Sequence, residues 1–422
     1  MASRSAIGLT VPTGAPARAP ADSATRITSE ASISSPFRGD FRVELLVEPG
    51  DRVAQGQPVL RAIKARDFAI TAPMPARVAR IDMDPGKRLN SVLFYHDGEG
   101  GRHRFDIPKA TDGAAIWTLL ANAGLWRAFR QRPGMVAAFG AARPAAIFVM
   151  AHDTRPGAGR PLDWVHDRGA ELAAGLKAIG ALTEGPVFLV TPRGAEVDIR
   201  DASDRVTRIE APAPHPWGLA GPHILSRAPA SFERPVWDIH VEAVADIGAL
   251  LRSGYVPETK HVAITGPGMR APLLRRVQHG ADIRELMLGK VVPGRHIVLA
   301  GSAIDGTRAR WVGHGVHQVT ALMDAGPEKP PHWLRAALGR SARPLPLVPT
   351  AGLDQALCGA VPVMPLIRAI SAGDTESARA LGAFSLVEED LALIDYLTQA
   401  APKVADMLRT LIDRAEAEEV AP

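Results

Sequence analysis

Cys358 is the only cysteine in this chain of 422 residues. That excludes an internal disulfide framework and any cysteine-ligated iron-sulfur cluster built from this chain alone, and it makes Cys358 a candidate small buried hydrophobe. Aromatic residues are scarce as well, at 5% of the chain, and no aromatic-rich strand pair offers a stacking platform for bases. No block of about five or more Lys or Arg occurs, and the net charge is only +4, so nucleic acid is excluded as a partner; a weakly basic face toward anionic lipid or an acidic protein fits better. No apolar run approaches the roughly 18 residues that span a bilayer. The first residues, Met1 to Thr25, lack a charged segment followed by a continuous apolar one, so a secretory signal is not expected and residence is expected to be cytoplasmic, soluble or peripheral.

What the chain does have is enough apolar content, 46%, to fill several cores, and its length suits three or four domains. An Ala-, Pro-, Ser- and Thr-rich start over residues 1–28 reads first as a flexible tail. Residues 29–107 hold two halves of a small β-barrel: Glu48-Pro-Gly-Asp51 is a turn, Val53, Val59 and Leu60 are strand residues, Gly56 marks the next bend, and Thr71-Ala-Pro73 to Val78 begins the second half. The pattern resembles the hammerhead, or barrel-sandwich hybrid, of biotinyl and lipoyl domains. Lys64 lies near the position of their carrier lysine but lacks its usual neighbours, and reads as a solvated turn lysine.

Residues 108–255 read as a Rossmann-like open α/β domain. Asp112 is an N-cap for a helix that stops at Gly124, and Ala145–Ala151 and Pro186–Thr191 are apolar runs of buried parallel strands. Between them Leu162, Val165, Leu172, Leu176 and Ile179 share one helical face, giving a βαβ unit. The loop His152-Asp153 to Gly159 follows the first strand, where such folds bind ligands, but its glycines lack the dinucleotide spacing. His152 and Asp153 read as hydrogen-bonded structure rather than an acid-base pair. The loop from Ala213 to His223 is rigid through its prolines; His215 and His223 lack a third ligand for zinc, so His215, Trp217 and His223 are candidates for contact with a partner.

Residues 256–345 show strands at His261–Thr265, Pro272–Val277 and Arg295–Ala300, with Asp282 capping a short helix. This resembles the soluble-ligand-binding β-grasp (SLBB-like) module of electron-transfer proteins. Residues 346–422 read as a helical bundle: Asp374 opens a helix closed by Gly382, Ser385 and Glu388 form a capping box for Leu386–Leu397, and Pro402 starts the last helix. The fold class is thus α/β and α+β multidomain.

In this order the chain resembles the NqrA family, the A subunit of the sodium-translocating NADH:quinone reductase. The resemblance is carried by Gly8–Pro12, Val47–Val53, Thr71-Ala-Pro73, Ser91-Val92, Gly124-Leu-Trp126 with Arg132-Pro133, Leu182–Gly185, Pro214-His-Pro216 with Gly218 and Gly221-Pro-His223, Gly266-Pro267, Gly373-Asp-Thr375 and Glu388–Leu393. It makes part of the Ala-rich start an ordered strand. The layout is similar to the flavin-binding subunit of respiratory complex I, but Leu125-Trp-Arg-Ala-Phe-Arg130 fills the position of the glycine-rich flavin loop.

The resemblance implies a peripheral subunit on the cytoplasmic face of the inner membrane, in a complex that oxidises NADH, reduces ubiquinone and exports sodium. It implies that this chain binds no cofactor or metal, and that FAD, FMN and Fe-S sit in the other subunits, which are its partners. Trp126, Phe129 and Arg130, an apolar surface with one cation, are the candidate quinone contacts. Where the family carries cysteines near the C-terminal helices this sequence has Ala383, Ile394 and Thr398–Ala400. The alternatives are a docking subunit of a different membrane redox complex, or a biotinyl- or lipoyl-type carrier with Lys64 modified.

Overall fold

The computed structural model describes residues 8–9, 25–35, 41–63, 65–109, 112–134, 143–199, 202–324, 326, 350–400 and 402–420. Lys64 lies outside the described residues. The N-terminal part contributes β1 (Thr25–Arg26), which joins a later sheet, and β2 (Glu30–Ser34), β3 (Val43–Leu45), β4 (Arg52–Val53), β5 (Pro58–Ala62), β6 (Ala69–Thr71), β7 (Ala76–Asp84) and β8 (Arg88–His96). β2-β8-β7-β4 form one sheet and β3-β5-β6 another. The turn before β4 forms because Gly50 takes φ +99° and the Asp51 carboxylate accepts from the Glu48 amide at 2.8 Å. Val53, Val59, Leu60, Ile70, Met74, Val92 and Phe94, each at most 1% exposed, fill the space between the sheets.

α1 (Gly113–Asn122) starts where the Asp112 carboxylate accepts from the Ala115 amide at 2.8 Å. A 3₁₀ turn at Leu125–Ala128 leads into β9 (Phe129–Arg132), followed by β10 (Ala146–Met150), α2 (Gly169–Ala181), β11 (Val187–Pro192), β12 (Val206–Ala211), α3 (Ala220–Arg227), β13 (Val236–His240) and α4 (Val241–Ser253). The sheet order is β12-β11-β10-β13-β9, parallel except for the antiparallel edge strand β9. All five residues of β10 are buried, as a central parallel strand covered on both faces requires. The single helix expected across Leu162–Ile179 is broken: Pro161–Trp164 form a 3₁₀ turn and α2 begins only at Gly169. Trp164, at the end of that turn, stacks on His261 and His317. α2 and α4 pack with their backbones in contact, since a Cβ at Gly248 would lie 1.8 Å from the Glu171 carbonyl oxygen and one at Gly175 1.9 Å from that of Val244.

A third unit contains β14 (Thr259–Thr265), β15 (Leu273–Gln278), α5 (Ile283–Met287), β16 (His296–Ala300), β17 (Thr307–Arg308) and β18 (Gln318–Met323), in the order β1-β15-β14-β18-β16-β17. Three of its strands were not expected from the sequence: β18, which is parallel to β14 at the centre, and the edge strands β17 and β1, the latter from the supposed tail. Leu9, further upstream, exchanges backbone hydrogen bonds with His215.

Helices at Ala351–Gln355, Val363–Ala372, Thr375–Ala380, Glu388–Thr398 and Val404–Val420 complete the described chain. Asp374 caps its helix as expected, accepting from the Ser377 amide at 3.0 Å. Ser385 does not cap: it is fully buried and its hydroxyl accepts from the Ala230 amide at 2.9 Å. The Asp390 carboxylate instead accepts from the Val387 amide at 2.9 Å, so the helix begins at Glu388. The chain is therefore a mixed α/β multidomain protein with several sheets and a helical C-terminal part.

Candidate functional site

Successive connections from β10 run outward through β11 and β12, whereas β13 lies on the other side of β10. Open α/β sheets leave a crevice at such a reversal, beside the carboxyl ends of the strands. A cavity of about 120 Å³ occupies that place, lined by Met150, His152 and Asp153 beyond β10 and by Asp238 and His240 of β13. Three other parts of the chain close it: the turn Leu125–Arg130, the third sheet through Lys260, His279, His314 and His317, and the C-terminal helices through Glu389.

One side of the cavity is a lattice of paired charges. Arg130 binds Asp238 at 2.6 Å and Glu389 at 2.7 Å. Arg132, with no exposed surface, reaches Asp238 at 3.1 Å and Asp390 at 2.5 Å. Arg155 binds Asp153 at 2.6 Å and Asp305 at 3.3 Å. Burial works against the Asp153 carboxylate, but Arg155 wins and holds it near pKa 2.

The opposite side has a different character. Burial lowers Lys260 to about 7; it is 1% exposed and donates to the carbonyls of Gly313 at 2.7 Å and His314 at 2.6 Å. Burial lowers Arg127 to about 10, and its Nε has no hydrogen-bond partner among the described residues. His279 and His314 stack at 4.7 Å, and burial together with nearby cations keeps both neutral, well below the usual histidine range. Glu242 is opposed by burial, yet the hydrogen bond with His261 and the nearby His317 ring keep it ionised; His261 Nδ1 sits 2.6 Å away.

His240, Glu242 and His317 bring potential metal-ligating atoms within 4.8 Å of one another. The two imidazoles, however, stack face to face at 3.8 Å with only 17° between their planes. Their lone pairs therefore lie in nearly parallel, stacked planes, a poor arrangement for meeting on one ion as a tetrahedral site requires.

Of the candidate quinone contacts, only Arg130 lines the cavity, with its side chain 33% exposed. Trp126 and Phe129 are each 1% exposed and form a seam between barrel and α/β sheet. Trp126 donates from Nε1 to the Ala69 carbonyl at 2.8 Å and meets Phe68 edge-on at 5.2 Å; Phe129 packs on Trp117 and Trp237. Among the candidate partner contacts, His215 and His223 are 3% and 2% exposed. His215 Nδ1 pairs with Thr154 Oγ1 at 3.1 Å and His223 Nε2 with the Trp217 carbonyl at 2.8 Å, and burial lowers both to about 4. Of the three, Trp217 is the partly exposed one. His152 Nε2 meets the Pro212 carbonyl at 3.0 Å and Asp153 is engaged by Arg155, so the two form no acid-base pair.

Sequence reasoning missed Arg127, His240, Lys260, His279, His314 and His317 as a group. Polar residues at the ends of apolar strands, such as His240 after Val236–Ile239, and the Gly313-His-Gly315 turn were visible signals. Only the pairing of the third sheet brings them together.

Residues 111–256 match the family described as NqrA second alpha/beta domain. The chain is 31% identical to the A subunit of the Na(+)-translocating NADH-quinone reductase of Teredinibacter turnerae, over 97% of this chain and 98% of that protein. It is likewise 31% identical to the corresponding protein of Saccharophagus degradans over 97% and 98%, and 28% identical to that of a Marinomonas species over 96% and 98%.

Proposed function

The chain belongs to the NqrA family, the A subunits of the Na(+)-translocating NADH-quinone reductases, and we propose that it is a peripheral, cytoplasmic-face component that helps such a complex assemble and reduce ubiquinone. The observation that carries this reading is the 31% identity running across 97% of the chain and 98% of its relative. In keeping with a peripheral place, no helix among the described residues is long and apolar enough to cross a membrane. NADH, FAD, FMN, Fe-S and sodium chemistry are assigned to the partner subunits. We read the two barrel sheets as a cofactor-less hammerhead and the third sheet as a β-grasp module.

For quinone, Arg130 is the proposed contact, because it alone of the three candidates reaches the cavity; Trp126 and Phe129 form the apolar wall that fixes the strand carrying it. Two measurements test this function. After detergent solubilisation of membranes, the chain should co-purify with flavin-bearing membrane subunits, and its recovery without them sinks the assignment. In the assembled complex, Arg130→Gln should raise the apparent KM for ubiquinone and leave that for NADH unchanged; an unaltered quinone KM removes Arg130 from the contact.

A further inference from the structure

The carboxylates that line the cavity are already taken. Asp153 binds Arg155, Asp238 binds Arg130 and Arg132, Asp246 binds Arg168, and Glu389 binds Arg130. Glu242, the further carboxylate acting on Lys260, is held by His261. Among the described residues none of them forms an ion pair with Arg127 or Lys260, although both cations line the cavity. The Lys260 ammonium gives two of its three protons to backbone carbonyls and keeps one. The buried Nδ1 of His279, which lines the same cavity, also has no hydrogen-bond partner among the described residues. A cation with no ion-pair partner among the described residues is costly where water is scarce, and guanidinium, ammonium and imidazole groups that line one cavity suit the oxygens of an anion.

We propose that Arg127 and Lys260, with the imidazoles of His279 and His314, form a pocket for one small oxyanion, a phosphate or a carboxylate group. The space of about 120 Å³ admits such a group. Oxyanion capture here requires no partner chain and is separable from the quinone contact at Arg130.

Calorimetric titration of the purified full chain tests it, with inorganic phosphate in one series and malonate in another, at constant ionic strength set by chloride. Saturable binding at one site is expected, weakened at least about tenfold, or 1.4 kcal/mol, in Arg127→Gln and in Lys260→Met. Exposed Arg368→Gln should bind as the unaltered chain does. Binding of phosphate alone identifies a phosphoryl ligand, of malonate alone a carboxylate, and of both an unselective oxyanion pocket. In the absence of anion, Arg127→Gln should melt no lower than the unaltered chain, whereas a purely structural arginine would leave it less stable. Absence of saturable binding in both series overturns the proposal, as does undiminished binding by the two pocket variants. Should Arg127→Gln not fold, the unaltered chain and Lys260→Met still decide.

Discussion

Arg132 and Asp390 meet at 2.5 Å with neither side chain exposed, and this pair ties the edge strand of the α/β sheet to the C-terminal helices. Removing one member leaves a charge in the interior with too few partners. Asp390→Ala should therefore destabilise the protein by about 3–5 kcal/mol, seen as a lowered midpoint in urea. Replacing both residues by apolar ones of similar volume should cost less than either single change.

Lys260 makes stability depend on pH with a definite sign. Its folded pKa of about 7 lies below its ordinary 10.5, so between those values the unfolded chain holds a proton that the folded chain does not, and stability rises with pH across that window. Below about pH 7 the buried ammonium exacts its whole penalty, on the order of 5 kcal/mol. Lys260→Met should flatten this rise and melt higher than the unaltered protein at pH 7, a comparison made by melting both across pH 7 to 10.

Backbone contact between α2 and α4 leaves no space for a methyl group. Gly248→Ala should force the helices apart and cost roughly 2–3 kcal/mol. Gly175→Ala should act similarly, and because both alanines press on one helix pair, their effects should not add. Urea unfolding of the two single variants and the double variant checks this.

Cys358 should be inert in the folded protein. It is 8% exposed, and burial pushes its thiol well above the ordinary range, so little nucleophilic thiolate forms. A thiol-reactive probe should label it at the rate of unfolding; fast labelling of the native chain contradicts this placement.

Much of this architecture could be read in the chain, because the evidence for it is local. The apolar run now seen as β10, the Asp112 and Asp374 caps and the turn at Gly50 each depend on residues within a few positions. Ser385 misled because its hydroxyl serves Ala230, a residue 155 positions away. The cavity was illegible for the same reason. Arg127, Lys260 and His314 carry no shared spacing, and they meet only because β14 and the turn before β18 fold over the crevice beside β10. Trp126 and Phe129 looked like a ligand surface because aromatic character says nothing about exposure; the barrel covers them.

The arginines on the paired side of the cavity also impose an order on synthesis. Arg130 and Arg132 leave the ribosome 259 and 258 residues ahead of Glu389 and Asp390, the carboxylates they bind in the finished protein. A nascent chain halted after β13 but before Glu389 carries the whole α/β sheet with Arg130 and Arg132 held by Asp238 alone. Arrival of the last helices adds Glu389 to Arg130 and Asp390 to Arg132, so the two arginines share a single carboxylate until the final part of the chain is made.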